Sequence, residues 1–211
     1  MHTPDSLIFD MDGTLWDAVD SYCAVWIATA RELGLRLDVG RDRLVPLMGR
    51  PLESIYREIV GDACDSPARF MEALARNEER MMPRLGARLY PGVETTLRAL
   101  RDRGVRLFMI SNCSATGLDT FLTYTGLRPY FTDWLSMGAT GADKDVNIRT
   151  LVGRYNLERA AYVGDVQRDA DHAHAAGVPI IWARYGFGQV SDADYTLHTF
   201  ADLLELYGTE I

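Results

Sequence analysis

The sequence predicts an α/β fold in which a Rossmann-like, doubly wound parallel sheet forms the core and an α-helical segment is inserted near its start. Short apolar runs alternate with helical patterns after residue 91, which is typical of a parallel sheet. The first apolar run, residues 6–9, ends in a polar loop as a buried strand does. Residues of about 16 to 88 instead repeat apolar side chains at helical spacing. We therefore expect a core domain of residues 1–15 and 89–211 and a helical domain of residues 16–88.

Length and composition limit the classes of protein that fit. The chain has 211 residues, of which 47% are hydrophobic and 25% are charged, enough to bury one α/β core and a smaller appendage. A net charge of −8 disfavours a nucleic-acid-binding surface, which needs excess Lys and Arg. The first seven residues contain no long apolar run, so we expect no signal peptide, no membrane anchor and a cytoplasmic protein.

Helix and strand signals follow one another along the chain. In the insertion, apolar periodicity predicts helices over 18–33 and 51–60, and Ser66-Pro67 is typical of a helix start. In the core, a helix is predicted over 93–103 and a strand over 105–110, ending at Ser111 and Asn112. Further strands are predicted at residues 134–137, 161–163, 179–182 and 195–197.

Acidic side chains follow two of the predicted strands. Asp10 and Asp12 come directly after the first strand, and Asp165 and Asp169 follow the strand at 161–163. Each group alone is typical of ordinary turns. The carboxyl ends of parallel strands meet at one edge of a sheet, so carboxylates from two strands can converge there on a hard cation such as Mg²⁺.

Two further residues supply the remaining chemistry of phosphoryl transfer. Ser111 ends a third strand, and Lys144 precedes a predicted helix. Lys144 is the only lysine among 22 Lys and Arg residues. Because the chain uses arginine at every other cationic position, a lysine here indicates a specific chemical requirement. A carboxylate nucleophile, a metal, a hydroxyl donor and a cation are what transfer of a dianionic phosphoryl group requires.

These motifs resemble the four motifs of the haloacid dehalogenase superfamily, in the same order and over nearly the whole chain. The matching residues are Asp10-Met11-Asp12-Gly13-Thr14-Leu15, Ser111-Asn112, Lys144, and Gly164-Asp165 with Asp169 and Ala176-Gly177. A helical insertion directly after the first motif is similar to the cap domain of the phosphoglycolate phosphatase and β-phosphoglucomutase branch. In one departure, Asp145 stands where the family often has proline after the third-motif lysine, so an arginine such as Arg149 stays an alternative cation.

The resemblance implies two roles for the first carboxylates. Asp10 would attack phosphorus and bind Mg²⁺ through its other oxygen. Asp12 would protonate the leaving group and then activate water. The backbone carbonyl of Asp12 and the carboxylate of Asp165 would complete the protein ligands of the metal.

The resemblance also implies how the phosphoryl group and the substrate are held. Ser111 would donate a hydrogen bond to a phosphoryl oxygen, with the main chain of Asn112 assisting. Lys144 would neutralise charge between Asp10 and the phosphoryl group, and Asp169 would orient Lys144. Within the insertion, the Gly49-Arg50 loop would contact the substrate, whereas Trp16 is expected to pack the cap and its hinge.

The function expected is a Mg²⁺-dependent phosphatase for a small soluble metabolite, with no nucleic-acid or membrane partner, acting as a monomer or homodimer. A phosphomutase of the β-phosphoglucomutase type stays open, because it differs only in what captures the phosphoaspartate. A 2-haloacid dehalogenase needs no second carboxylate in the first motif, so Asp12 disfavours it. A phosphoaspartate signalling module would leave Asp12 and the helical insertion without a role.

Overall fold

The computed structural model describes residues 3–208. Contacts between Cα atoms divide the chain into two units. The core unit comprises Met1–Asp17 and Leu89–Ile211, and the helical unit comprises Ala18–Arg88. No helix within residues 3–208 is long and apolar enough to cross a membrane.

A six-stranded, wholly parallel sheet forms the centre of the core unit. Numbered in chain order over the whole protein, the strands are β1 (Ser6–Phe9), β2 (Trp16–Asp17), β3 (Arg88–Leu89), β4 (Arg106–Ser111), β5 (Asp133–Ser136), β6 (Ala160–Gly164), β7 (Ile180–Ala183) and β8 (Tyr195–Leu197). The sheet has the order β5-β4-β1-β6-β7-β8. The predicted α/β fold class is confirmed; only the two-residue strands β2 and β3 have no counterpart in the sequence patterns.

The strand order places the end of β1 at a reversal in the winding of the sheet. The chain adds β4 and β5 on one side of β1 and then β6, β7 and β8 on the other. Phe9 is in register with both Met109 of β4 and Val163 of β6. Asp10 therefore leaves the sheet between the ends of β4 and β6, in the position where ligands bind in open α/β sheets.

Helices cover the sheet of the core unit. They are α5 (Val93–Asp102), α6 (Gly117–Thr125), α7 (Met137–Thr140), α8 (Lys144–Tyr155) and α9 (Gln167–Ala175), with 3₁₀ segments at Arg128–Tyr130 and Phe200–Tyr207. One apolar cluster joins α8 and α9 to the sheet through Ile8, Phe108, Ile110, Ile148, Leu151, Tyr162, Ala170, Ala173 and Ile180. This packing fixes the helix that begins with Lys144 against the strands that carry the acidic residues.

The helical unit contains α1 (Val19–Glu32), α2 (Arg41–Leu44), α3 (Leu52–Ile59) and α4 (Pro67–Leu85), with 3₁₀ segments at Val45–Leu47 and Gly61–Ala63. As the sequence predicts, Ser66 caps α4, and its hydroxyl accepts a hydrogen bond from the Arg69 N–H at 3.3 Å. Asn77 is buried and donates to the Thr29 hydroxyl at 3.1 Å, which joins α4 to α1. Phe70 packs against the rings of Trp26 and Tyr56.

Candidate active site

Asp10 is the first residue after β1 and is only 3% exposed. Its backbone N–H donates to the Val163 carbonyl at 2.9 Å, which fixes it beside β6. Its Oδ1 lies 2.8 Å from Lys144 Nζ. Burial raises the pKa of Asp10 to about 7, because the opposing effect of Lys144 does not offset the loss of solvation and the nearby charge of Asp169.

Lys144 is the first residue of α8 and is buried between two carboxylates. Its Nζ lies 2.7 Å from Asp169 Oδ1 as well as against Asp10. It also lies 5.7 Å from the centre of the Tyr162 ring. Burial favours the neutral amine, but the charges of Asp10 and Asp169 outweigh it and hold the pKa of Lys144 well above its usual range. The site therefore contains a compact, permanent ammonium in contact with Asp10.

Asp165 follows β6 and is held by the loop after β7. Its Oδ2 accepts a hydrogen bond from the Phe187 N–H at 2.7 Å, and its carbonyl accepts one from the Trp182 indole at 3.2 Å. Burial, with the charges of Asp169 and Asp10, raises the pKa of Asp165 well above its usual value. A cation at this position would stabilise the ionised form.

Asp169, in the first turn of α9, uses both of its carboxylate oxygens within the protein. Oδ1 accepts from Lys144, and Oδ2 accepts from the N–H groups of Asp165 at 3.1 Å and Val166 at 3.3 Å. A Cβ on Gly164 would lie 2.6 Å from the Asp169 side chain, so only glycine fits beside it. These contacts suit a residue that orients Lys144 better than a metal ligand.

The buried carboxylates form a group that fits a divalent metal ion. Carboxylate oxygens of Asp10, Asp165 and Asp169 lie within 4.8 Å of one another. Three carboxylates and the single ammonium of Lys144 leave two negative charges without compensation when all are ionised. Oxygen ligands and this charge match Mg²⁺. Because Asp169 is occupied by other donors, Asp10 and Asp165 are the carboxylates that would bind the ion.

The half-buried Asp12 lies in a tight loop that follows β1. The Gly13 N–H donates to the Trp16 carbonyl at 2.9 Å, and the Trp16 indole donates to Asp12 Oδ1 at 2.8 Å. Gly13 has φ 77°, and a Cβ there would collide with the Asp165 carboxylate. The loop therefore requires glycine to bring its backbone against Asp165.

Ser111 ends β4, the strand next to β1, and its side chain is buried. The hydroxyl oxygen accepts a hydrogen bond from the Cys113 N–H at 3.2 Å. The hydroxyl hydrogen can therefore be donated to another group, such as a phosphoryl oxygen. Asn112 is half-buried and directly follows, so both residues lie at the same edge of the sheet as Asp10.

The Gly49-Arg50 pair belongs to the helical unit, whereas the other predicted site residues belong to the core unit. The Arg50 N–H donates to the Leu47 carbonyl at 3.2 Å, which closes a turn after the 3₁₀ segment. Gly49 has φ 78°, as such a turn requires. The Arg50 side chain is exposed, so its role in substrate contact stays a prediction.

The structure adds residues after β7 that the sequence patterns did not reveal. The Tyr185 hydroxyl donates to the Thr14 carbonyl at 2.9 Å, and the Phe187 N–H binds Asp165. Between them, a Cβ on Gly186 would collide with the Gly13 carbonyl oxygen and with Asp165. Glycines at 186 and 188 indicate a tight turn. The sequence does not show that this turn contacts Gly13, far away along the chain, and Asp165, on the other side of β7.

Trp16 lies in β2, two residues before the helical unit begins. It packs edge-on against Phe121 of α6, with ring centres 4.7 Å apart, within the core unit. The expectation that it packs the cap and its hinge stays a prediction. Its hydrogen bond to Asp12 was not anticipated, because an apolar ring after a loop gives no sign of which acceptor its N–H meets.

Comparison with known proteins identifies the family and the fold. The family model of haloacid dehalogenase-like hydrolases matches residues 7–183. A phosphoglycolate phosphatase from Synechococcus elongatus is 31% identical over 210 residues, covering 95% of both chains. One from Pseudomonas putida is 28% identical, covering 96% of this chain and 78% of its own. The crystal structure of a predicted phosphoglycolate phosphatase from Haemophilus somnus shares the fold, with TM-score 0.84, 22% identity and coverage of 98% and 99%.

Proposed function

The chain belongs to the haloacid dehalogenase-like hydrolase family and is a phosphoric monoester hydrolase, and we propose that it is a Mg²⁺-dependent phosphatase that forms a phosphoaspartate on Asp10. The observation that carries this proposal is the buried contact between Asp10 and Lys144 beside Asp165. A carboxylate held against an ammonium and a second carboxylate can approach a phosphoryl dianion once a divalent cation offsets the charge.

In the first half of the proposed reaction, an Asp10 oxygen forms a bond to phosphorus and the ester P–O bond breaks. The departing oxygen takes a proton from Asp12. In the second half, water attacks phosphorus, Asp12 accepts the water proton, and the bond between phosphorus and Asp10 breaks. Phosphate is released and both carboxylates return to their starting states.

Mg²⁺ would be held by the carboxylates of Asp10 and Asp165 and by the backbone carbonyl of Asp12. Asp10 uses Oδ1 for Lys144 and Asp165 uses Oδ2 for the Phe187 N–H, so the other oxygen of each can face a cation. When bound, the ion supplies positive charge to the phosphoryl oxygens. Lys144, in contact with Asp10 Oδ1, would add positive charge, and the Ser111 hydroxyl with the main chain of Asn112 would donate to the phosphoryl group.

The substrate proposed is a small phosphorylated carboxylate, with 2-phosphoglycolate the first to test. Two relatives are named phosphoglycolate phosphatases, and one is 31% identical over 95% of this chain. The helical unit would act as a cap over the substrate. Arg50 supports an anionic substrate, because a guanidinium pairs with a carboxylate through two parallel hydrogen bonds. A cytoplasmic location and the absence of nucleic-acid and membrane partners stay predictions.

The test is hydrolysis of a panel of phosphate esters, including 2-phosphoglycolate and a hexose phosphate, with Mg²⁺ and with a chelator. We expect phosphate release only with Mg²⁺ and a fall of about four orders of magnitude or more in Asp10→Asn. Exposed Asp62→Asn in the helical unit is the matched control and should be unchanged. Activity in chelator or in Asp10→Asn would end the proposal, and an isomerised hexose phosphate in place of phosphate would favour the phosphomutase.

A further inference from the structure

The Trp16 indole is fixed by the fold on one side and bonded to a reactive carboxylate on the other. The ring is 4% exposed and packs edge-on against Phe121 at 4.7 Å, with Tyr124 at 6.5 Å. Its N–H donates to Asp12 Oδ1 at 2.8 Å, a distance typical of a strong hydrogen bond to a carboxylate. A clamped aromatic ring cannot follow the carboxylate, so the carboxylate is the partner whose orientation is set.

The backbone of the same loop keeps the two residues together. The Gly13 N–H donates to the Trp16 carbonyl at 2.9 Å, and the Trp16 N–H donates to the Met11 carbonyl at 3.3 Å. Trp16 and Asp12 also form an isolated bridge of strand type. The local backbone of residues 11–16 therefore holds Trp16 and Asp12 close together, and the packing on α6 fixes the indole ring.

We propose that Trp16 is a positioning residue for Asp12, which rests on the phosphatase function proposed above. An indole N–H can donate but cannot accept, so it holds Oδ1 in one orientation and never competes for the transferred proton. The Asp12 carboxyl group, held through Oδ1, then has one orientation in which to give the proton to the leaving group and to take it back from water. One fixed rotamer serves both halves of the reaction, which avoids reorganisation between the steps.

Substitution by phenylalanine separates the N–H group of Trp16 from the packing of its ring. A phenylalanine at position 16 could still make an edge contact with Phe121 but would lack the donor. Trp16→Phe therefore removes the hydrogen bond with a small change in apolar volume. Trp26→Phe makes the same change in the helical unit, where Trp26 is 2% exposed and packs against Phe70, and is the matched control.

The decisive measurement is kcat/KM for two esters, because this ratio reports formation of the phosphoaspartate. A simple alkyl phosphate needs a proton for its leaving group, whereas 4-nitrophenyl phosphate releases a stable phenolate without one. We expect Trp16→Phe to lower kcat/KM for the alkyl ester about tenfold, the value of one hydrogen bond to a charged group. The loss should be at least about five times larger for the alkyl ester than for the aryl ester.

A double-mutant cycle separates positioning from a general structural effect. In an Asp12→Ala background, Trp16→Phe should cause no further selective loss on the alkyl ester, because the carboxylate that it orients is absent. If Trp16→Phe fails to fold, Trp16 can be replaced by its benzothienyl analogue, which has the same shape and lacks the N–H. That protein should show the same selective loss.

Three results would overturn the role of Trp16 while leaving the phosphatase proposal intact. They are an equal loss on both esters, a full additional loss in the Asp12→Ala background, and unchanged kinetics of the benzothienyl protein. Trp26→Phe should match the wild type in the ratio between the two esters. Failure of the phosphatase proposal itself would look different, because the wild-type protein would then hydrolyse neither ester in an Asp10-dependent manner.

Discussion

The buried charged cluster of the core unit and the Gly49-Arg50 turn of the helical unit use charge in opposite ways. In the core, Lys144 is 1% exposed and touches Asp10 and Asp169 at 2.8 and 2.7 Å. In the helical unit, the Arg50 side chain is exposed, and the fold fixes the residue through its backbone N–H. One cation is placed by side-chain contacts, and the other is presented on a turn.

Under the proposed function, the core cluster would carry the chemistry and the Gly49-Arg50 turn would contribute to the choice of substrate. A buried ion pair is often no more stabilising than well-packed apolar residues in its place, because removing charges from water costs free energy, so the core cluster is better explained by function than by stability. An exposed arginine on a turn costs little and can change without harm to the fold. We therefore expect substitutions in the core cluster to affect all substrates, and substitutions at the turn to affect only substrates that reach it.

After the loss expected for Asp10→Asn, the largest effect is expected for Lys144→Arg. The compact ammonium bridges Asp10 and Asp169, and the wider guanidinium does not fit the same space. We expect kcat/KM to fall by about two orders of magnitude, on the order of 3 kcal/mol of transition-state stabilisation, for every ester tested. Steady-state kinetics with Lys144→Gln as a second variant checks this, and near-wild-type turnover in Lys144→Arg would place the lysine outside the reaction.

The next effect concerns stability in the absence of metal. The pKa of Asp10 is raised to about 7 in the folded protein, against about 3.9 in an unfolded chain. Between these two pKa values the folded state keeps a proton on Asp10 that the unfolded state has lost. The free energy of unfolding therefore falls as pH rises from about 4 to about 7. Between pH 5 and 7 the free energy of unfolding should fall by about 2 kcal/mol more in the wild type than in Asp10→Asn.

Denaturant unfolding in a chelator at the two pH values measures this difference. Added Mg²⁺ should restore more stability at pH 7 than at pH 5, because it binds the ionised carboxylates. Exposed Asp62→Asn in the helical unit should follow the wild type. If the free energy of unfolding depends on pH in Asp10→Asn as it does in the wild type, the pKa of Asp10 is not raised in the folded protein.

The sequence predicted the fold class and most elements because apolar periodicity is a local signal. Strands β1 and β8 were predicted with their observed bounds, and β6 within one residue at each end. Asp10 and Asp165 could be proposed together because both directly follow buried strands, and parallel strands end at a common edge. The β2 and β3 strands were missed because two residues are too few to show a period.

The contacts that hold the cluster could not be predicted in the same way. The bond from the Phe187 N–H to Asp165 depends on the path of the chain after β7, and that from Trp16 to Asp12 on a loop conformation. Both donors carry large apolar side chains, which in a sequence indicate packing. Residue type therefore identified the charged groups of the site, including Asp169 beside Lys144, but not the N–H groups that hold Asp12 and Asp165.

A smaller effect is expected for Gly186→Ala, which tests whether the loop after β7 shapes the proposed metal site. The added Cβ would press on Asp165 and on the Gly13 carbonyl. We expect the Mg²⁺ concentration for half-maximal activity to rise about tenfold, equal to about 1.4 kcal/mol. Gly153→Ala is the matched control, because a Cβ there meets no atom within 4 Å. Titration calorimetry with Mg²⁺ should give the same ratio, and equal affinities in both variants would exclude this role.

The smallest effect is expected for Arg50→Ala, and only on a substrate that the turn contacts. For 2-phosphoglycolate we expect kcat/KM to fall about three- to tenfold, whereas 4-nitrophenyl phosphate should change by less than about twofold. Exposed Arg57→Ala in the same unit serves as the control. Equal losses on both substrates would show that the Gly49-Arg50 turn, like the core cluster, affects every substrate, and would contradict the proposed difference between the two regions.

Asp12→Ala with 4-nitrophenyl phosphate tests the central claim most directly. The phenolate leaves without a proton, so Asp10 can still be phosphorylated, but water is no longer activated to release the phosphate. Rapid mixing with Mg²⁺ should give a burst of one phenolate per protein molecule. Acid quenching and peptide mass spectrometry should then locate one phosphoryl group on Asp10. Absence of a burst together with no modified Asp10, or a phosphoryl group on another residue, would contradict the account.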